Sequence, residues 1–243
     1  MSQTISQDLS TAGGLFHLGV EVDPEVDALF EHWCEARLAD GVAFPGLSSA
    51  RLLVKHPGHS GVGASPKHLV LCEAESESAA RAAVQPEFET GLPGELAGRL
   101  QSRCAFYRAI GDHPGHDGTR RMGPAILHVT VDVDPEWRDA FLDWYVGVHV
   151  PAVLHAPGML GARRFEQAAL ASGEPIPEGQ HSYCTIYEMA DADLIDRPET
   201  QAASARGLCP ARIAPHRVAM NFVYAERVCV RSPEIEATHH PLA

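Results

Sequence analysis

Residues 16–33, FHLGVEVDPEVDALFEHW, and residues 127–144, LHVTVDVDPEWRDAFLDW, are one piece of sequence written twice. At an offset of 111 they share eight of 18 positions: His, Val, Val, Asp, Pro, Glu, Phe and Trp. Random pairing at roughly 6% per position would give about one match. The correspondence continues downstream: FPGLSSAR (44–51) answers APGMLGAR (156–163), HLVLCEAE (68–75) answers YCTIYEMA (183–190), and Tyr107 answers Tyr224. The chain therefore reads as a tandem duplication, and the fold question reduces to one unit of about a hundred residues, an ordinary domain size.

One unit reads as β-α-β-β-α-β, the split βαβ or ferredoxin-like order. Ile126 to Val133 alternates apolar and polar residues, a strand signal. Asp134-Pro135-Glu136 then supplies an N-cap, a first-turn proline and a first-turn acid. Trp137, Phe141, Trp144 and Val148 recur at helical spacing and line one apolar face, which must lie on a sheet. Further strands are expected at 162–167, 183–189 and 218–227, with a second helical region at 192–206. The units span 15–109 and 125–228, joined by a polar linker at 110–124 and flanked by loose tails at 1–14 and 229–243. Long Gly/Pro/Ser-rich connections at 55–67 and 169–180 read as surface loops.

Composition fits a soluble protein. Apolar residues make up 45% of 243 positions, enough for a core, and no apolar run approaches the ~20 residues needed to cross a bilayer. The N-terminus lacks a basic start and an apolar stretch, so no signal peptide is expected. Six cysteines without a CxxC pair read as free thiols rather than disulfides or zinc ligands, which points to the cytoplasm. A formal charge of −13 argues against nucleic acid, whose binding needs a basic face. The expected partner is a small-molecule substrate, with a homodimer as the expected assembly.

The stretch DWYVGVHVPAVLHAPGMLGARRF (143–165) resembles the signature of the dimeric α+β barrel superfamily, in particular its EthD-like branch: a W-Y-x-x-x-H-x-P segment, then Pro-Gly and an arginine-bearing strand. The resemblance implies an α+β fold in which two tandem ferredoxin-like units form an internal pseudo-dimeric barrel, each with a pocket between its sheet and its helices. Members of that superfamily include cofactor-free monooxygenases, lactone isomerases, cyclases, dehydratases and, in tandem form, haem proteins of the chlorite dismutase type. Fold transfers between them better than reaction does.

The two copies differ where that motif sits. Tyr145 and His149 of the later copy face Cys34 and Leu38 of the earlier one, so residues 125–228 alone carry the motif's tyrosine and histidine. At i, i+4 spacing Tyr145 and His149 share a helical face, and histidine is the commonest general acid or base. His149, Tyr145 and His128 are the expected catalytic residues. His155, Arg164, Trp144, Tyr183, Tyr187 and Tyr224 are the expected substrate contacts. His128 and its counterpart His17 sit at strand positions whose parity opposes Leu127, Val129 and Val131, so they point to the other face of the sheet. Arg163 repeats Arg51 and reads as structural, whereas Arg164 faces Leu52. No nucleotide, hydrolase or metalloprotease motif is present, and neither a metal nor a cofactor is expected. The reading is an enzyme doing acid–base chemistry of lyase, dehydratase, isomerase or cyclase type on a small, largely apolar organic molecule. A cofactor-free monooxygenase, a haem-binding enzyme and a non-catalytic ligand-binding protein are the alternatives.

Overall fold

The computed structural model describes residues 13–39, 46–59, 61, 65–90, 92–173, 175–177 and 180–231, of which 39, 84–90, 171 and 231 by their backbone only. Its strands are β1 (Gly14–Val22), β2 (Leu47–Lys55), β3 (His68–Ala74), β4 (Leu100–Pro114), β5 (Ala125–Val133), β6 (Met159–Gln167), β7 (Tyr183–Met189) and β8 (Arg217–Arg231). All pair antiparallel in a closed barrel ordered β1-β3-β2-β8-β5-β7-β6-β4. Residues 14–114 thus supply four adjacent strands, β4-β1-β3-β2, and residues 125–231 supply β8-β5-β7-β6. The two sets were expected to face each other. They also join at both edges, β2 to β8 and β4 to β6, which leaves no open strand edge.

Helices cover the outside. The repeated Asp-Pro-Glu folds in both halves as a short 3-10 turn, Pro24–Val26 leading into α1 (Asp27–Ala39) and Pro135–Trp137 leading into α3 (Arg138–Trp144). Asp23 caps its turn by accepting from the Glu25 amide. Asp134, expected to do the same, makes no side-chain cap bond and pairs with His216 Nδ1 at 2.9 Å. After α3 the chain winds as a π-helix over Tyr145–His149 and resumes as α4 (Val150–Leu154). Val148, expected on the apolar stripe, is 47% exposed at this wider turn, and the buried face continues through Tyr145, Val150, Val153 and Leu154. Around the rest of the shell lie α2 (Glu77–Thr90), α5 (Ala168–Ser172) and α6 (Pro198–Arg206).

Three boundaries differ from expectation. β4 runs to Pro114, so residues 110–114 belong to a strand and not to the linker. A helical turn, α5, occupies the start of the loop expected at 169–180, because Gln167 accepts from the Ala169 and Leu170 amides. The second helical region divides into a 3-10 turn at Leu194–Asp196 and α6, since Pro198 fits only a first helical turn. β1 begins at Gly14 and β8 extends to Arg231; the remaining tail residues, 1–12 and 232–243, lie outside the described residues.

Strand parity sorts the side chains into an inside and two outer layers. Phe16, Leu18, Val20, Leu52, Val70 and Cys72 pack outward against α1 and against Ala80 of α2. Leu127, Val129, Val131, Ala162 and Tyr187 pack outward against α3 and α4. Leu15, Leu53, Leu69, Leu71, Ile126, Phe165, Ile186 and Phe222 fill the barrel. The end where β1 and β5 begin is crossed by ion pairs. Arg51 binds Glu188 and Glu226, each at 2.8 Å, and Arg163 binds Glu73. These join the halves in both directions, since Arg163 answers Arg51 and Glu188 answers Glu73. All six cysteines are free, three of them buried, and Cys104 is exposed. Among the described residues no helix is long and apolar enough to cross a membrane.

Candidate functional site

A cavity of about 280 Å³ occupies the other end of the barrel, where β1 and β5 finish. β1 contributes His17, Gly19 and Glu21; β4 contributes residues 101–105 and Tyr107; β5 contributes His128 and Thr130; β8 contributes Met220 and Phe222. The floor residues Tyr107, His128, Thr130 and Phe222 are buried, whereas Glu21, Gln101, Arg103 and Cys104 form an exposed rim. The volume is about that of a small aromatic ligand's site, and apolar walls with few convergent polar groups are what such sites share.

His17 and His128 meet on the cavity floor. Their Nε2 atoms lie 3.0 Å apart and the rings stack at 4.9 Å. Tyr107 stands edge-on to His17 at 5.9 Å, and Tyr224 edge-on to His128 at 6.0 Å, so the arrangement repeats across the two halves. Burial lowers His17 to about 4. Burial, with help from His17 and His181, carries His128 well below the usual histidine range. Both rings are neutral at pH 7. Their contact therefore needs opposite tautomers, one ring donating from Nε2–H and the other accepting at a bare Nε2.

The cavity wall holds the group that sequence reasoning passed over. His181 lines the cavity and its Nδ1 lies 2.6 Å from Asp132 Oδ2, while Asp132 Oδ1 accepts from the Ser182 amide and hydroxyl at 2.8 and 3.0 Å. With Nδ1–H donated to the carboxylate, Nε2 is the acceptor nitrogen. This is a base oriented by a third group. The signal was faint: 49 residues separate the partners, and neither carries a motif. The first half has Glu21 and Pro66 at the corresponding places, so the dyad is one-sided.

The expected site residues divide between places. His128 and Tyr224 are on the barrel interior. Tyr224 turns its hydroxyl to the Pro66 carbonyl, at 2.9 Å, and to Ser65. Trp144, Tyr145, Tyr183 and Tyr187 lie in the outer layer of residues 125–231, with His149 stacked on Tyr145 at 5.1 Å and tilted against Trp144 at 5.2 Å. Tyr187 donates to the Tyr145 hydroxyl at 3.2 Å, and the Arg164 guanidinium sits 5.9 Å from the Tyr145 ring. Arg164 is 7% exposed and has no carboxylate within ion-pair reach among the described residues. Burial raises Tyr145 and lowers Arg164 and His149 from their usual values. His149 donates Nδ1–H to the Gly207 carbonyl at 2.9 Å. The space among Tyr145, Arg164, Tyr183 and Thr185 measures about 10 Å³, room for one water. His155 is exposed and meets His116 edge-on at 5.6 Å, away from both places.

The outer layer does not suit a haem, the group carried by some proteins of this fold, because the 10 Å³ space beside Tyr145 is far below the size of the macrocycle. In the barrel cavity the Nε2 atoms of His17 and His128 are spent on each other.

A family model described as "Domain of unknown function (DUF4286)" matches residues 124–205. No curated protein matches the sequence. Among solved structures, an anthrone oxidase-like protein is 13% identical with a TM-score of 0.61, covering 92% of this chain and 94% of that one. A candidate monooxygenase of Fusobacterium nucleatum subsp. nucleatum is 10% identical with a TM-score of 0.59, covering 91% and 95%. A mutant chlorite dismutase of Candidatus Nitrospira defluvii is 10% identical with a TM-score of 0.58, covering 90% and 93%. At such identities the likeness shows the fold, that of the dimeric α+β barrels.

Proposed function

We propose that this chain is an enzyme that removes a proton from a small, largely apolar organic molecule held in the barrel cavity. The observation that carries the reading is the Asp132–His181 pair on the wall of the 280 Å³ cavity. His181 Nε2 takes the proton. Asp132 fixes the ring's tautomer and stabilises the imidazolium that forms. Thr130 offers a hydrogen bond to the oxygen on which charge develops, beside the neutral His17–His128 pair and inside a site partly closed to water. Apolar contact comes from Phe222, Met220 and Tyr107.

A second reading adds dioxygen as co-substrate: a phenolate or carbanion formed in the cavity is electron-rich and reduces oxygen itself. It is supported by the names of the compared structures, an anthrone oxidase-like protein and a candidate monooxygenase. The lyase or isomerase type expected from sequence has no support of that kind.

We also propose that the chain descends from a duplicated ferredoxin-like unit, with halves at about 14–114 and 125–231. The strand orders β4-β1-β3-β2 and β8-β5-β7-β6 support this, as do the matched contacts His17–His128, Arg51–Glu188 and Arg163–Glu73.

The test uses a panel of small phenols, hydroxyquinones and anthrones. Deuterium exchange at an acidic C–H, followed by NMR, reports proton abstraction, and an oxygen electrode reports the second reading. Exchange that disappears in Asp132→Asn is the expected result. Exchange that survives in both Asp132→Asn and His181→Gln would remove the dyad from the chemistry.

A further inference from the structure

Three metal-ligating side chains converge on the outer face of the first half, remote from the dyad. Asp27 and Glu31 stand one turn apart on α1 and reach His68, the first residue of β3. One ligand atom from each lies within 4.8 Å of the others. His68 Nε2 is 3.1 Å from Glu31 Oε1 and 3.5 Å from Asp27 Oδ1. Ligands at the bond lengths zinc takes to nitrogen and oxygen, set at tetrahedral corners, are spaced by about 3.3–3.5 Å.

The surroundings prepare these atoms as ligands. The His68 side chain is 0% exposed and its ring is held edge-on against Phe30 at 5.1 Å. Each carboxylate gives its outer oxygen to a cation, Asp27 Oδ2 to Lys67 and Glu31 Oε2 to Arg227 at 4.0 Å, and turns the other toward His68. Ligating carboxylates are commonly fixed by such outer contacts. Asp27 Oδ1 is left buried with no hydrogen bond, a state that disfavours folding unless something answers it.

Packing alone does not demand this set. The corresponding corner of the second half has Arg138, Leu142 and Tyr183, where the Arg138 guanidinium lies over the Tyr183 ring at 5.8 Å. That arrangement closes the same corner with no ligand at all.

We propose that Asp27, Glu31 and His68 bind one divalent first-row metal ion, with zinc or cobalt as the probe. Three protein ligands of mixed nitrogen and oxygen type leave a fourth position for water, the pattern of an exchangeable site and not of a closed structural one. The proposal does not depend on the dyad.

The test is titration of chelator-treated, full-length protein with Co²⁺, followed in the visible. The expected result is a tetrahedral d–d band that saturates at one ion per chain and is displaced by Zn²⁺, with a rise in melting temperature on metal addition. Glu31→Gln, a partly exposed helix position that leaves the core untouched, should weaken binding by at least about 30-fold, within the range that metal-site changes produce. His68→Gln should abolish it, and the Glu31 variant keeps the test decisive if the His68 variant fails to fold. No saturation below millimolar metal would overturn the proposal and leave an ion-pair cluster only. A band retained in Glu31→Gln, or one with intense thiolate charge transfer, would also overturn it.

Discussion

Inside the barrel the two halves place like beside like: His17 against His128, Tyr107 matching Tyr224, and Arg51–Glu188 matching Arg163–Glu73. Outside it they part company. The first half packs Cys34 and Leu38 of its helix against Leu52, Val70 and Cys72 of its strands, and the second half has Tyr145, His149, Arg164, Thr185 and Tyr187 at the same places. The apolar version shows that the fold needs none of those polar groups to close the layer. The polar version encloses only 10 Å³, too little for a substrate; Tyr187 donates to Tyr145 there, while the Tyr183 hydroxyl and Trp144 Nε1 are buried without a hydrogen-bond partner among the described residues. Room for a molecule exists where the halves meet, and there the His17–His128 contact is shared, whereas Asp132 and His181 stand opposite Glu21 and Pro66, and Thr130, Met220 and Phe222 opposite Gly19, Arg103 and Ala105. A histidine–carboxylate pair on one wall only is what the proposed proton abstraction uses.

The ion pairs that tie the halves together offer the largest effect. Arg51→Ala should cost about 3–5 kcal/mol, because it leaves Glu188 and Glu226 charged and Glu188 deeply buried. Arg163→Ala, which frees only Glu73, should cost less. Urea unfolding of the two variants checks this, and equal losses would mean that the matched pairs are not the junction's main restraint.

The histidine pair predicts a pH dependence. An unfolded histidine titrates near 6.5, whereas folded His17 titrates near 4 because of burial. Above 6.5 both states are neutral there. Below it the unfolded chain binds a proton that the folded chain refuses, so stability falls as pH drops from 6.5 toward 4. For His17 the loss is on the order of 3 kcal/mol, and His128, shifted in the same direction, adds to it. Melting temperature measured across this window should fall, and His17→Phe should flatten the fall. A curve of unchanged slope in that variant would place the titration elsewhere.

The outer layer predicts the smallest effect. Tyr145→Phe removes the acceptor of the Tyr187 hydroxyl and should cost about 1 kcal/mol, with turnover within a few fold. Loss of activity in a variant of normal stability would return the chemistry to that layer.

Much of this was legible in the sequence. The repeat at offset 111 fixed which residues answer one another, and Asp-Pro-Glu located both first helices. Parity placed His17 and His128 on the face away from Leu127 and Val129, as the structure has it. Parity could not say that this face is the inside of a closed barrel, because closure depends on β2–β8 and β4–β6 pairings between distant segments. The helical spacing of Tyr145 and His149 was read as α, and the π turn was invisible because it is set by packing and not by composition. The dyad was missed for a similar reason: His181 sits in a turn-rich loop and reaches Asp132 only through the β5–β7 register, which pairs Val131 with Tyr183. Volume is a property of packed side chains, so neither the 280 Å³ cavity nor the filled outer layer could be read from residue order.

The most direct measurement compares two histidine variants in one assay. With a substrate that the wild type turns over, His181→Gln should lower the catalytic constant by roughly 10²–10⁴, the usual worth of one positioned proton-transfer group. His149→Ala, which loses a contact with the Gly207 carbonyl in the outer layer, should stay within about threefold. The opposite ranking, with His149→Ala inactive and His181→Gln near wild type in folded proteins, would contradict the barrel cavity as the site of chemistry.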